Sequence, residues 1–181
     1  MFDRVVAENG AVLYDPQRDA TGLLAQPPPR QFIAALHDRG VNPLYLGQVV
    51  VATVEPNEVM ALEVIRDLGL ELEIIFNKGS VMILPTGINK ASGLAAALEE
   101  LEILPMETIA AGDAENDHAL LTMTGCGVAV ANALDSLKAD ADLLTSEPNG
   151  AGVRQLIDAL LGDNPRIRKR PGHVPASLAS R

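Results

Sequence analysis

Hydrophobic and polar positions change rhythm near residue 85. Before it, short apolar runs alternate with turn residues. Arg4 to Tyr14 predicts two short strands around the Asn9-Gly10 turn. Asp15 to Pro29 reads as loop, ending in three prolines. Residues 30–39 place Phe32, Ile33 and Leu36 at helical spacing, with Gly40 as a stop. Leu44 to Val54, with the β-branched run Val49-Val50-Val51, predicts a strand. Glu55-Pro56-Asn57 opens a helix whose apolar face is Val59, Met60, Leu62, Val64, Ile65 and Leu68, closed by Gly69. Strands at Glu71–Phe76 and Ser80–Leu84 follow, joined as a hairpin by Asn77-Lys78-Gly79.

After Pro85-Thr86-Gly87 helices and strands alternate. Helices are predicted at Asn89–Leu101, Glu115–Met123, Leu134–Ala139 and Gly152–Leu161. Strands are predicted at Glu107–Ala111, Gly127–Ala131 and Asp142–Thr145. That alternation is the signature of a parallel α/β sheet. Residues 20–85 read as a small α+β insertion.

Charge sharpens the picture. The 181 residues carry 14 Lys and Arg against 24 Asp and Glu, a formal charge of −10. Five of those cations (Arg166, Arg168, Lys169, Arg170 and Arg181) lie in the Pro-containing segment 163–181, which has one acid, Asp163. The remainder therefore holds 9 cations and 23 acids, or −14. Such a body is a poor nucleic-acid binder, and aromatics at 3% offer no stacking platform. The basic segment reads as a tail or linker. No apolar run reaches the ~18 residues of a membrane span, and the first residues lack a signal-peptide pattern. The expectation is a cytoplasmic protein without nucleic-acid or membrane partners. The single cysteine, Cys126, excludes an internal disulfide and is read as a small buried residue.

The most informative stretch is Gly112-Asp113-Ala114-Glu115-Asn116-Asp117. A strand delivers Asp113 to its carboxyl end, where open α/β sheets bind ligands. Asp117 follows four residues later, in the first turn of the next helix. Two carboxylates and an amide there suit Mg²⁺, and they equally suit capping of the helix start. Lys90 sits at a helix N-terminus, against the dipole preference. It is an anion ligand working with helix N–H groups, or an exposed surface lysine. His118 is a proton donor or a partly buried helical histidine. Walker, dinucleotide-fingerprint and serine-hydrolase motifs are absent.

Taken together, these segments resemble the haloacid dehalogenase (HAD) superfamily, in its Cof-type, sucrose-phosphatase and phosphoglycolate-phosphatase-like branch. Glu8-Asn9-Gly10-Ala11 is similar to a segment of that branch, Asn89-Lys90-Ala91 to its third motif, and Gly112 to Asp117 to its fourth, GDxxND. The resemblance covers roughly residues 3–162. It implies an α/β fold: a HAD-like Rossmannoid parallel sheet from residues 1–19 and 86–162, with a C2-type α+β cap over 20–85. It implies a Mg²⁺-dependent phosphatase acting on a small phosphorylated metabolite, in which one Asp attacks the phosphoryl group and a second acts as general acid and base. Asp113 would ligate Mg²⁺ directly, and Asp117 would support the metal from behind its ligands or through water. Lys90, Asn116 and Asp117 would place and neutralise the reacting groups, and the cap hairpin at Asn77, Lys78 and Gly79 would select the substrate.

One departure bears on all of this. The family's DxDGT nucleophile motif and its Ser/Thr motif, which both precede the Glu8 segment in relatives, have no counterpart in the sequence. Asp3, Asp15 and Asp19 lack that context. Two classes of function follow: a phosphatase lacking its nucleophile and inactive alone, or a non-catalytic domain binding a phosphate-bearing ligand or a partner. Without the central strand of the family sheet, strand edges should stand open. The expected remedies are a homo-oligomer, a second chain that completes the sheet, or a rearranged sheet.

Overall fold

The computed structural model describes residues 2–162 and the strand pair position Arg168–Lys169. The chain divides into two compact units, residues 1–97 and 98–181, with the boundary inside one helix.

The first unit begins with strand β1 (Val5–Ala7), a 3-10 turn (Glu8–Gly10) and β2 (Val12–Asp15), antiparallel as the Asn-Gly pattern predicts. The structure then departs from the sequence reading. Residues expected to be loop contain β3 (Ala20–Leu23), which pairs with β2. It is exposed throughout and carries no alternation of apolar and polar residues, so pattern alone could not mark it. Asp15 ends β2 and is buried. It accepts from the amides of Gln17 and Arg18 and pairs with Arg4 at 3.3 Å.

Helix α1 (Arg30–Asp38) follows, then β4 (Tyr45–Leu46) and β5 (Val51–Val54). The predicted single strand 44–54 is thus a hairpin, turning at Gly47 to Val50. The reason lies 40 residues away. The Glu8 carboxylate accepts from three successive amides, Gln48 at 2.7 Å and Val49 and Val50 at 2.8 Å each. Gly47 is needed there, because a Cβ would lie 2.5 Å from that carboxylate. Helix α2 (Glu58–Asp67) and the hairpin β6 (Leu72–Asn77) and β7 (Ser80–Pro85) complete a second antiparallel sheet, in the order β4-β5-β7-β6. Lys78 and Gly79 both take positive φ, as a two-residue hairpin loop requires. Phe32 and Leu36 of α1 pack with Ala61, Val64 and Ile65 of α2 and with Val51 and Ile83 of the sheet. Each fully buried large side chain contributes about 1.5–3 kcal/mol. Helix α3 (Lys90–Glu100) leads into the second unit.

In that unit β8 (Ile109–Gly112), β9 (Cys126–Ala129) and β10 (Leu143–Leu144) run parallel, and β11 (Arg168–Lys169) pairs antiparallel with β10. They alternate with α4 (His118–Met123), α5 (Asp135–Asp140) and α6 (Asn149–Leu160). This is the predicted parallel α/β arrangement. Its core is Ala110, Leu121, Ala129, Val130, Ala133, Leu137 and Ala141, all small or aliphatic. Among the described residues β8 pairs with β9 alone and β1 with β2 alone, so both stand at sheet edges. The rest of the tail reading, over 163–167 and 170–181, lies outside the described residues. No helix among them is long and apolar enough to cross a membrane.

The Glu8 cradle makes stability depend on pH. Burial pushes its carboxyl up, but the amides of Val50, Gln48 and Val49 outweigh that and hold it below the ordinary 4.5. A depressed carboxylate stabilises the fold above its unfolded-state value and loses that contribution as acid protonates it. Glu8→Ala should therefore cost about 2 kcal/mol at neutral pH, as lost charge-assisted cap bonds do. The gap from wild type should narrow as pH falls below the ordinary 4.5 and the cradled carboxylate is protonated. Urea melts at stepped pH measure both.

Candidate active site

β8 ends at Gly112, and the chain turns through a 3-10 segment, Glu115–Asp117, into α4. Asp117 organises this turn. It is 4% exposed, and its Oδ2 accepts from the amides of Asp113 at 2.9 Å and Ala114 at 3.0 Å. The Asp117 amide in turn donates to the Ala114 carbonyl. Gly112 allows this fold-back: a Cβ there would lie 2.6 Å from the Cβ of Asp117 and 2.8 Å from its carboxylate. Asp113 is consequently fixed at the carboxyl end of a parallel strand. Asp117 acts on it through the backbone, as a cap of its own turn.

A third residue joins them. Asn132, just beyond β9, donates from Nδ2 to Asp113 Oδ2 at 3.3 Å, while its Oδ1 accepts from the Asn149 amide at the start of α6. Asn132 was not singled out from sequence. It stands 19 residues from Asp113, just past a strand parallel to β8, in the segment Gly127 to Ala133, which also resembles the Cof-type HAD branch. Asn116 lies in the same turn, between Glu115 and Asp117.

His118 is half-buried and ties α4 to α5. Its Nδ1 lies 2.9 Å from Asp140 Oδ2 and its Nε2 3.4 Å from Ser136 Oγ. Cys126 is half-buried rather than buried. Burial and the nearby Asp142 carboxylate push its thiol up, away from reactivity.

Lys90 belongs to the first unit, as the first residue of α3. Asn89 caps that helix: its Oδ1 accepts from the amides of Ala91 and Ser92, at 2.9 and 3.0 Å, and Ser92 Oγ closes the loop on the Asn89 backbone. The expectation that helix amides would serve an anion is thus met at Ala91 and Ser92 by the protein's own carboxamide. The cap rests on Gly10, where a Cβ would sit 1.9 Å from the Asn89 carbonyl oxygen, and Gly93 packs on the same Gly10 backbone. Asn77, Lys78 and Gly79 occupy the β6–β7 turn of that unit, with Asn77 paired to Ser80.

Asp113, Asn116, Asp117 and Asn132 offer oxygen donors only. Among the described residues no group of three His, Cys, Asp or Glu side chains could hold a metal. One or two carboxylates with hard oxygen neighbours fit Mg²⁺, which completes its octahedron with water and phosphate oxygens, and do not fit a zinc or a calcium cage.

Comparison with known proteins places the chain. It is 42% identical over 88 residues to phosphoglycolate phosphatase 2 of Saccharolobus solfataricus, covering 49% of this chain and 37% of that one. It is 29% identical over 143 residues to the phosphoglycolate phosphatase of Sulfurisphaera tokodaii, covering 79% and 62%. Both matches therefore span less than two thirds of the relative. The fold superposes on a haloacid dehalogenase-like hydrolase from Bacteroides thetaiotaomicron with a TM-score of 0.70 at 19% identity, covering 87% of this chain and 76% of that one. The family model for haloacid dehalogenase-like hydrolases matches residues 48–157, more than half of the chain, and spans both Lys90 and the Asp113 turn; this protein belongs to that family.

Proposed function

We propose that this chain carries the phosphate- and metal-binding part of a Mg²⁺-dependent phosphomonoester hydrolase for a small phosphorylated metabolite, and that it does not turn over substrate alone. The observation that carries the reading is Asp113, presented at the end of β8 by the buried Asp117 carboxylate. The two relatives bear the name phosphoglycolate phosphatase, which makes phosphoglycolate the first substrate to test.

In this reading Asp113 holds Mg²⁺, with Asn132 orienting its carboxylate and Asp117 fixing its backbone. Bound Mg²⁺ would neutralise charge on the phosphoryl oxygens, where phosphoryl transfer gains most of its catalysis. Lys90, the first residue of α3, supplies positive charge to the phosphate. Asn116 helps place the phosphate, and the Asn77-Lys78-Gly79 turn contacts the rest of the substrate. No aspartate in the sequence stands in a DxDGT context to attack phosphorus, which is why turnover is not expected.

Calorimetric titration with phosphoglycolate tests this. Binding should require Mg²⁺ and fall at least about tenfold in Lys90→Ala, the loss of one charge-assisted contact of about 1.4 kcal/mol or more. Aryl-phosphate hydrolysis should stay at background. Binding indifferent to both Mg²⁺ and Lys90 would contradict the proposal, and robust turnover abolished by Asp113→Ala would contradict the absence of a nucleophile. Mg²⁺-independent binding that still needs Lys90 would favour the non-catalytic alternative.

A further inference from the structure

We infer that Glu8 is a positioning residue for Lys90: its carboxylate pins a strained turn against the start of α3, and so governs phosphate binding without touching the phosphate. The role of Lys90 is taken from the phosphatase reading; the hold on its helix start is not.

The turn Glu8-Asn9-Gly10 is left-handed throughout, with φ of +49°, +54° and +107°. Among the described residues no other segment has three such angles in succession. Glycine takes them freely and asparagine tolerates them, but in glutamate the Cβ crowds the following carbonyl. A turn of this kind needs an outside hold.

Two holds are present, one at each end. At the Glu8 end the carboxylate accepts from the amides of Gln48, Val49 and Val50. Charge-assisted bonds are roughly twice as strong as neutral ones, and three on one side chain offset the backbone strain. At the Gly10 end the turn meets α3 backbone to backbone. A Cβ on Gly10 would lie 1.9 Å from the Asn89 carbonyl oxygen and 3.3 Å from the Lys90 amide nitrogen, and one on Gly93 2.6 Å from Gly10 Cα. Ala11 and Val12, just after the turn, share one buried cluster with Val49 and Val50 of the clasped loop. Ile88, two residues before Lys90, packs on that cluster. The clasped loop, the turn and the helix start are therefore one packed element.

The dependence runs from Glu8 to Lys90. Once the carboxylate lets go, the turn relaxes toward ordinary angles and Gly10 leaves the Asn89 carbonyl. Neither glycine has a side chain to keep contact when the backbones part. The Asn89 carbonyl accepts from the Gly93 amide and from Ser92 Oγ, and the Asn89 side chain caps Ala91 and Ser92. The helix start loosens as a whole, with Lys90 in it. Strain beside a binding site, held by a separate contact, is a means of preorganising that site.

Glu8→Ala tests this, with formate as a substitute carboxylate for the three amides. Hydrogen exchange read by NMR without ligand should show the Ala91 and Ser92 amides accelerated at least about tenfold more than those of α2, and excess formate should reverse this. Phosphoglycolate affinity with Mg²⁺ should fall about fivefold or more, recover with formate, and fall no further when Glu8→Ala is added to Lys90→Ala. Glu8→Gln keeps the shape of the side chain and should give the same exchange pattern at smaller amplitude, so it carries the test where Glu8→Ala does not fold. Uniform acceleration of α2 and α3 would make Glu8 a stabiliser of the fold alone and overturn the inference. Failure of formate would overturn it by assigning the effect to side-chain packing, and additive losses in the double variant would overturn it by separating Glu8 from Lys90. Binding that Lys90→Ala alone leaves intact would sink the phosphatase reading, while the ligand-free exchange still decides the hold on the helix start.

Discussion

Gly10→Ala will destabilise the first unit by about 3–5 kcal/mol, a large fraction of the roughly 5–15 kcal/mol of an ordinary domain. Two independent penalties add. Gly10 has φ +107°, a region that L side chains rarely adopt. Its Cβ would also stand 1.9 Å from the Asn89 carbonyl oxygen and 2.5 Å from the carbonyl carbon. Backbone cannot yield as a flexible side chain can. Moving it would pull the Asn89 carbonyl away from the Gly93 amide and from Ser92 Oγ, and with them the cap that positions Lys90. Gly69→Ala is the control. It has φ +62° but nothing within 4 Å of the added carbon, so it isolates the conformational penalty at about 1 kcal/mol. Thermal melts should show Gly10→Ala losing roughly 10 °C and Gly69→Ala about 3 °C. Equal losses at the two sites would mean that the ENG turn does not support the helix cap.

Gly112→Ala will cost at least tenfold in divalent-cation affinity, although the substitution adds a single methyl group and removes no ligand. Gly112 has no positive φ, so sterics alone act. The added carbon meets the Cβ, Cγ and Oδ2 of Asp117 at 2.6–2.8 Å. To relieve this, Asp117 must withdraw from the amides of Asp113 and Ala114, leaving a buried carboxylate, a buried amide and a part-buried one poorly satisfied. Stability should fall by about 2–3 kcal/mol, and Asp113 should lose its fixed direction. Asp117→Asn keeps the size and an acceptor oxygen, and should retain more of the affinity than Gly112→Ala. Mn²⁺ titration of the two variants makes the comparison.

Much of this was legible because it is local. The Asn77-Lys78-Gly79 hairpin, the helix after Asn89 and the strand into Gly112-Asp113 each carry their signal within a few residues. Features set by distant groups were not. The β4–β5 hairpin is hidden within an apolar run because its turn is organised by Glu8, far back in the chain. β3 is hidden because an exposed edge strand of Ala, Thr, Gly and Leu has no buried face to pattern. At the candidate site, Asp113 and Asp117 were found by spacing, but the contact of Asn132 with Asp113 becomes visible only once β8 and β9 lie side by side. The role of Asp117 likewise depended on geometry: its carboxylate folds back onto the amides of its own turn, a choice that sequence leaves open.

The central claim is that Asp113 is the residue that holds the divalent cation. Mn²⁺ broadening of amide resonances tests it most directly, with Mn²⁺ standing in for Mg²⁺. Substoichiometric Mn²⁺ should broaden signals around Asp113 and Asn132 in the wild type, Mg²⁺ should reverse the effect, and Asp113→Asn should abolish it. Broadening centred on other acidic residues, or undiminished in Asp113→Asn, would contradict the account.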